Sequence, residues 1–145
     1  MRVLLQRVAR AEVRVGEAVV AAGGPGLLLL VGVGAGDTGE QIPKLAEKIW
    51  NLRIFEDRDG KMNRSLAEVG GDVVVVPQFT LYGDTGRGRR PSWTGAAPPE
   101  VAGRLIESFA ASLASLGARV HVGAFREHME VELVNDGPVT LLLEA

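Results

Sequence analysis

The chain has 145 residues, 46% of them apolar and 23% charged, with a formal net charge of −2 and no cysteine. One domain spanning residues 1–145 is expected, with enough chain to bury a sizeable core. The missing cysteines exclude disulfide scaffolds, cysteine zinc sites, iron–sulfur clusters and thiol nucleophiles. The slightly acidic charge excludes a global attraction to nucleic acid, so any such binding must come from a local basic patch. The longest apolar runs, Leu27–Val31 and Val73–Pro77, are far short of a membrane span. Charge interrupts the start at Arg2 and Arg7 before a signal-peptide core can form. The expectation is a cytoplasmic protein with no membrane partner.

The opening residues 3–8 are apolar around Gln6-Arg7, and Ala11–Val15 alternates with period two, which predicts one or two half-buried strands. Val19–Ala22 predicts a short strand, Gly23-Gly24-Pro25-Gly26 a turn, and Leu27–Val33 a fully buried strand. Ile42, Leu45, Ile49 and Leu52 recur at helical spacing and predict an amphipathic helix over about residues 40–52, with Pro43 in its first turn. Arg53–Phe55 reads as a short strand, and Asp57–Lys61 as a hairpin turn ending in Asp-Gly.

Val73–Leu81 is a strongly apolar run broken by Pro77-Gln78. Gly83, Gly86, Gly88, Pro91 and Gly95 then predict a long ordered loop, and long loops in compact domains usually carry function. Pro98-Pro99-Glu100 opens a second helix with Val101, Leu105, Phe109, Leu113 and Leu116 as its core stripe and Gly117 as its cap. Val120–Val122, Met129–Leu133 and Val139–Leu143 read as three further strands, the last two joined by a turn at Asn135–Pro138. The expected fold is α/β: a compact β-rich domain, its mostly antiparallel sheet curled toward a barrel, with two helices packed on it.

Several motifs carry possible chemistry. Gly34-Ala-Gly36-Asp-Thr-Gly39 matches a dinucleotide fingerprint, but Asp37 would aim a carboxylate at the pyrophosphate, and the later strand–helix alternation is missing. The two histidines, His121 and His128, are seven residues apart, a spacing unsuited to zinc, so no metal and no cofactor are expected. No Gly-x-Ser-x-Gly elbow supports a Ser-His-Asp triad. Arg87, Arg89 and Arg90 sit with Trp93 in the Gly/Pro loop. Guanidinium forks suit phosphate, and an indole can stack on a base, against the alternative of a solvated loop with Trp93 in the core. Gln78 and Thr80 place an amide and a hydroxyl at the end of an apolar strand, where each needs a partner. Asn135-Asp136-Gly137-Pro138 is turn chemistry on composition alone.

Taken together and in this order, these segments resemble the D-aminoacyl-tRNA deacylase family. The resemblance runs from Val3-Leu4-Leu5-Gln6-Arg7-Val8 through Asn51–Asp57 and Gly60–Asn63. It continues through Gln78-Phe79-Thr80-Leu81-Tyr82, Gly88–Ser92 and Ala96–Glu100, and closes on Leu133–Leu141. The family pattern has Ser immediately before Gln-Phe-Thr; Pro77 stands there instead, without a hydroxyl or a backbone N–H. The resemblance implies a homodimer whose active site lies at the subunit interface, acting on tRNA charged with a D-amino acid or glycine. It implies that Gln78, Phe79 and Thr80 line the catalytic site. It further implies that Gly137 and Pro138 form a cis Gly–Pro motif that reaches into the partner's site and rejects L-amino acids. Arg87, Arg89 and Arg90 are the expected tRNA contacts. A methyl group added at Gly137 is expected to block the site with little effect on the fold. The competing expectations are a non-catalytic nucleic-acid-binding module and a small-molecule-binding barrel.

Overall fold

The structure, a computed structural model, describes all 145 residues. One long strand organises it. β1 (Arg2–Val15) pairs antiparallel with β2 (Ala18–Gly23) through its second half and with β3 (Gly26–Gly32) through its first. α1 (Ile42–Asn51) follows, then the two-stranded ribbon β4 (Phe55–Glu56) and β5 (Met62–Arg64), and the single-turn α2 (Leu66–Val69). β6 (Asp72–Pro77) leads into a 3-10 turn, Phe79–Tyr82, and then the long loop. α3 (Pro99–Ser115), β7 (Arg119–Val122) and β8 (Glu130–Glu144) complete the chain. The main sheet runs β2-β1-β3-β6-β7, with β8 also on β1.

The pairings are mostly antiparallel, as expected, but β3–β6 and β6–β7 are parallel. Each of those connections carries a helix, and a crossover of that kind returns the chain to the sheet in the same direction. α2 is a third helix beyond the two expected. The Ser65 N–H and hydroxyl both donate to Glu68 Oε2, at 2.7 and 2.9 Å, a capping box that supports its one turn.

The sheet has two apolar faces because it curls. One face, through Val3, Leu5, Leu29, Val31, Val73 and Val75, packs against Ile49, Phe109 and Leu113 of α1 and α3. The other, through Val8, Ala11, Val13, Leu28, Val74 and Val76, folds on itself as the interior of a nearly closed barrel. This double burial explains why β3 and β6 read as unbroken apolar runs rather than alternating ones. The face of α3 differs from the expected stripe. Ala102, Ile106, Phe109, Ala110 and Leu113 are buried, whereas Val101 and Leu105 are half-buried and Leu116 is exposed. Docking against α1 and the sheet rotates the buried face about one position from the one that large residues alone suggest.

The largest departure from expectation is β8. Asn135–Pro138 does not reverse the chain. Asn135 pairs with Val8 and Thr140 pairs with Gln6, so the strand continues along β1 while the residues between them bulge outward. A turn-forming sequence thus makes a protrusion from a continuous strand.

Candidate active site

Gln78 is held where β6 leaves the sheet. Pro77 is in register with Val31, and the Gln78 N–H donates to the Val31 carbonyl at 2.8 Å. The following 3-10 turn is closed by Leu81 N–H to Gln78 O at 3.3 Å and Gly83 N–H to Thr80 O at 3.0 Å. As the first residues of that turn, Phe79 and Thr80 have N–H groups with no partner inside it. The Gln78 side-chain amide donates to the Thr80 hydroxyl, so these two polar groups satisfy each other.

Arg2 ties the turn down. Its Nη1 donates to Leu81 O at 2.9 Å, its guanidinium lies 4.6 Å from the Tyr82 ring centre, and its Nε pairs with Glu144 at 2.7 Å. Burial, and then the charge of Asp37, push the Tyr82 phenol above its ordinary pKa. Tyr82 packs so closely on Gly34 that a Cβ there would stand 2.9 Å from the ring. Asp37 accepts from Gly34 N–H at 2.6 Å and from Gln41 at 2.9 Å. The Gly34–Gly39 loop is therefore an internally braced support for the turn.

A cavity of about 590 Å³ opens beside Gln78 and Phe79. Its walls come from the ends of β3 and β6, the start of α3 and the segment Phe125–Val131, and they are mainly apolar. Trp93 lines it, edge-on to Phe79 with ring centres 5.2 Å apart and an interplanar angle of 69°. Trp93 is therefore neither a core residue nor free in solvent. The exposed Phe79 ring stands at the cavity mouth. His128 is exposed and also lines this cavity, whereas His121 faces Asp72 at 3.4 Å beside Arg119 and Gly24. Arg87, Arg89 and Arg90 are exposed in the adjoining loop, outside the cavity walls and without ion-pair partners.

The second predicted cluster lies elsewhere. The Gly137–Pro138 peptide bond is cis, with Gly137 at φ +116°. The bulge that carries it is held by Asn135, whose Nδ2 donates to Arg7 O at 2.9 Å and Val139 O at 3.0 Å. Thr140 donates to Asn135 Oδ1 at 3.2 Å and accepts from Gln6 at 3.2 Å. Beneath the bulge Arg7 is buried. Its Nη1 donates to Ile54 O at 2.5 Å and its Nε to Asp136 O at 3.3 Å, while Asp136 Oδ2 lies 3.2 Å away. Sequence reasoning missed Arg7 as a site residue. The only signal was an arginine on the inward side of an apolar strand. Arg2 touches the 3-10 turn and Arg7 touches the bulge, so five residues of β1, about 17 Å of extended chain, separate the two clusters. Within one chain Gly137 and Pro138 are not among the walls of the cavity beside Gln78.

Comparison with known proteins covers nearly the whole length of the chain. Residues 4–144 match the D-Tyr-tRNA(Tyr) deacylase family. The chain belongs to that family. It is 57% identical over 144 residues to the D-aminoacyl-tRNA deacylase of Heliobacterium modesticaldum, covering 99% of this chain and 96% of the relative. To the D-aminoacyl-tRNA deacylase of Roseiflexus sp. it is 55% identical, covering 100% and 94%. Among solved structures, one described as "c-Myc DNA Unwinding Element Binding Protein" superposes with a TM-score of 0.92 at 36% identity, covering 100% of this chain and 99% of that one. A probable eukaryotic D-amino acid tRNA deacylase shares the fold with a TM-score of 0.86 at 19% identity, covering 98% and 97%. No helix of this member of the deacylase family is long and apolar enough to cross a membrane.

Proposed function

We propose that the protein hydrolyses the ester bond of D-aminoacyl-tRNA and of mischarged glycyl-tRNA, releasing free tRNA and the amino acid, and so provides chiral proofreading in translation. The observation that carries this reading is the apolar cavity bounded by Gln78, Phe79 and Trp93 in a chain that matches the family over residues 4–144. An aminoacyl ester is already labile, so positioning and oxyanion stabilisation supply most of the rate needed. The N–H groups of Phe79 and Thr80 are the donors for the oxyanion. Thr80 is a poor nucleophile because its hydroxyl is engaged by the Gln78 amide, which is neither acid nor base at neutral pH. The attacking group is a water molecule positioned by the 2′-hydroxyl of the terminal adenosine.

Chirality then rests on Gly137 and Pro138. They do not line the cavity beside Gln78 in their own chain, and they serve the site of a second copy. An apolar row, Leu142–Leu4–Leu30, crosses three adjacent strands with Leu142 57% exposed, and it supplies the surface on which a second copy seats. Backbone carbonyls of the Gly–Pro pair fix the substrate amine and leave no room for an L side chain, while D side chains and glycine pass.

Arg87, Arg89 and Arg90 contact the tRNA backbone beside the cavity. A non-catalytic nucleic-acid-binding module would also use these arginines, but it would not need the cavity. Release of tyrosine from D-Tyr-tRNA and glycine from glycyl-tRNA, with L-Tyr-tRNA left intact, is expected with or without a chelator, from a species of dimer mass. No turnover of D-Tyr-tRNA by the folded protein would overturn the reading.

A further inference from the structure

The segment between β7 and β8 contains the one residue other than glycine with a positive φ, Arg126 at +66°. L side chains rarely adopt this left-handed conformation, and a bulky residue held there, here in a turn, is an outlier that asks for a reason. Arg126 gains nothing locally in return. It is exposed, takes part in no ion pair, and its side chain makes no hydrogen bond. Yet the segment around it is well anchored. Gly123 N–H donates to Val75 O at 2.8 Å, the Phe125 ring packs against Gly103 of α3, and β8 begins at Glu130. The anchors leave Arg126 on the wall of the 590 Å³ cavity, next to Phe125, with Phe79 and Trp93 also lining it.

A cation at the edge of a mainly apolar cavity has a chemical consequence. A nucleoside ester that enters such a cavity buries its base and acyl group and leaves its phosphate outside, where the cavity meets water. Guanidinium is the side chain best suited to hold that phosphate. We propose that Arg126 binds the phosphodiester immediately 5′ of the esterified nucleoside and so positions the tRNA end for hydrolysis. This inference rests on the deacylase reading. It assigns Arg126 a role distinct from that of Arg87, Arg89 and Arg90, which lie outside the cavity wall. Arg126 is a substrate-positioning residue and does not touch the reacting ester.

The test compares wild type, Arg126→Gly and Arg126→Lys on two substrates: D-tyrosyl-tRNA, and D-tyrosyl-adenosine, which carries the same ester but no phosphate. Glycine relieves the left-handed backbone, so Arg126→Gly should melt about 2–4 °C higher than wild type. The same variant should show a KM for D-tyrosyl-tRNA raised roughly tenfold with kcat unchanged. Its salt dependence should be shallower by about one unit of slope. Hydrolysis of D-tyrosyl-adenosine should be unaffected, and Arg126→Lys should recover part of the lost KM. A lower melting temperature for Arg126→Gly would assign the residue to the fold and overturn the inference. An unchanged KM and salt slope, or an equal loss on the phosphate-free ester, would overturn it too while leaving the deacylase reading intact. Failure of wild type to cleave either ester would overturn both.

Discussion

Replacing Gly137 with alanine tests the coupling between the bulge and its support. A Cβ at Gly137 would stand 2.8 Å from Arg7 Nη2, 3.1 Å from Val139 Cγ2 and 3.3 Å from Val139 N. The nearest of these atoms belongs to a long side chain, which elsewhere would swing away. Here Arg7 is buried and anchored on Ile54 O at 2.5 Å, so moving it breaks charge-assisted hydrogen bonds in the interior. That displacement costs about 1.5–3 kcal/mol. The φ of +116° adds backbone strain of roughly 1–3 kcal/mol for an L residue. A total loss of about 2.5–6 kcal/mol is expected, a large share of a native stability of roughly 5–15 kcal/mol. The expectation from sequence of little effect on the fold is therefore revised: the bulge and its support are one unit. Urea denaturation of Gly137→Ala, Arg7→Ala and the double variant measures both parts. In the Arg7→Ala background the clash with the guanidinium is absent, and the alanine should cost only its backbone part and its contact with Val139. A Gly137→Ala protein within about 0.5 kcal/mol of wild type, or an equal cost in both backgrounds, would refute the reasoning.

Thr80→Ala should keep substantial activity, because the Thr80 hydroxyl has no base beside it, whereas a D-aminoacyl-tRNA ending in 2′-deoxyadenosine should react slowly; the reverse result would make Thr80 the nucleophile. Alanine at Arg87, Arg89 and Arg90 together should weaken tRNA binding and flatten its salt dependence by roughly 0.7–0.9 for each phosphate no longer neutralised, with melting temperature and kcat unchanged. Unchanged binding would assign the three to the surface alone. Asp72 is held below the ordinary aspartate pKa, first by the Arg119 guanidinium and then by the Gly24 N–H. A carboxylate with a depressed folded pKa contributes stability above its unfolded pKa of about 3.9 and loses it as pH falls through the folded value. Denaturation at a series of pH values should therefore show Asp72→Asn less stable than wild type at neutral pH, with the gap closing below pH ~4; a constant gap would remove Asp72 from the acid limb.

Features governed by near neighbours in the chain were legible without the structure. The 3–4 spacing of Ile42, Leu45 and Ile49 defines the buried face of α1. Gly60 takes the left-handed backbone expected of its turn, and Gly117 does the same after α3. The Ser65–Glu68 spacing holds the signature of a capping box, but the single helical turn behind it carries no periodicity to mark it as a helix. The cluster Gln78-Phe79-Thr80 stood out because polar side chains at the end of an apolar strand need a partner or a purpose.

Distant contacts decided the rest. Asn-Asp-Gly-Pro has the same local chemistry in a hairpin and in a bulge. What carries β8 onward is the edge of β1, which offers hydrogen bonds on both sides of the bulge, from Arg10 to Arg14 and from Arg2 to Gln6. Arg7 became a support only because the Ile54 carbonyl and the bulge close over it. The buried face of α3 follows from the surface it docks on, not from the size of its side chains. Arg126 reads as one more surface charge until its backbone angle and the cavity beside it are known. In each case the deciding partner is far away in sequence, and a hydrogen bond or a buried charge has no signature until that partner arrives.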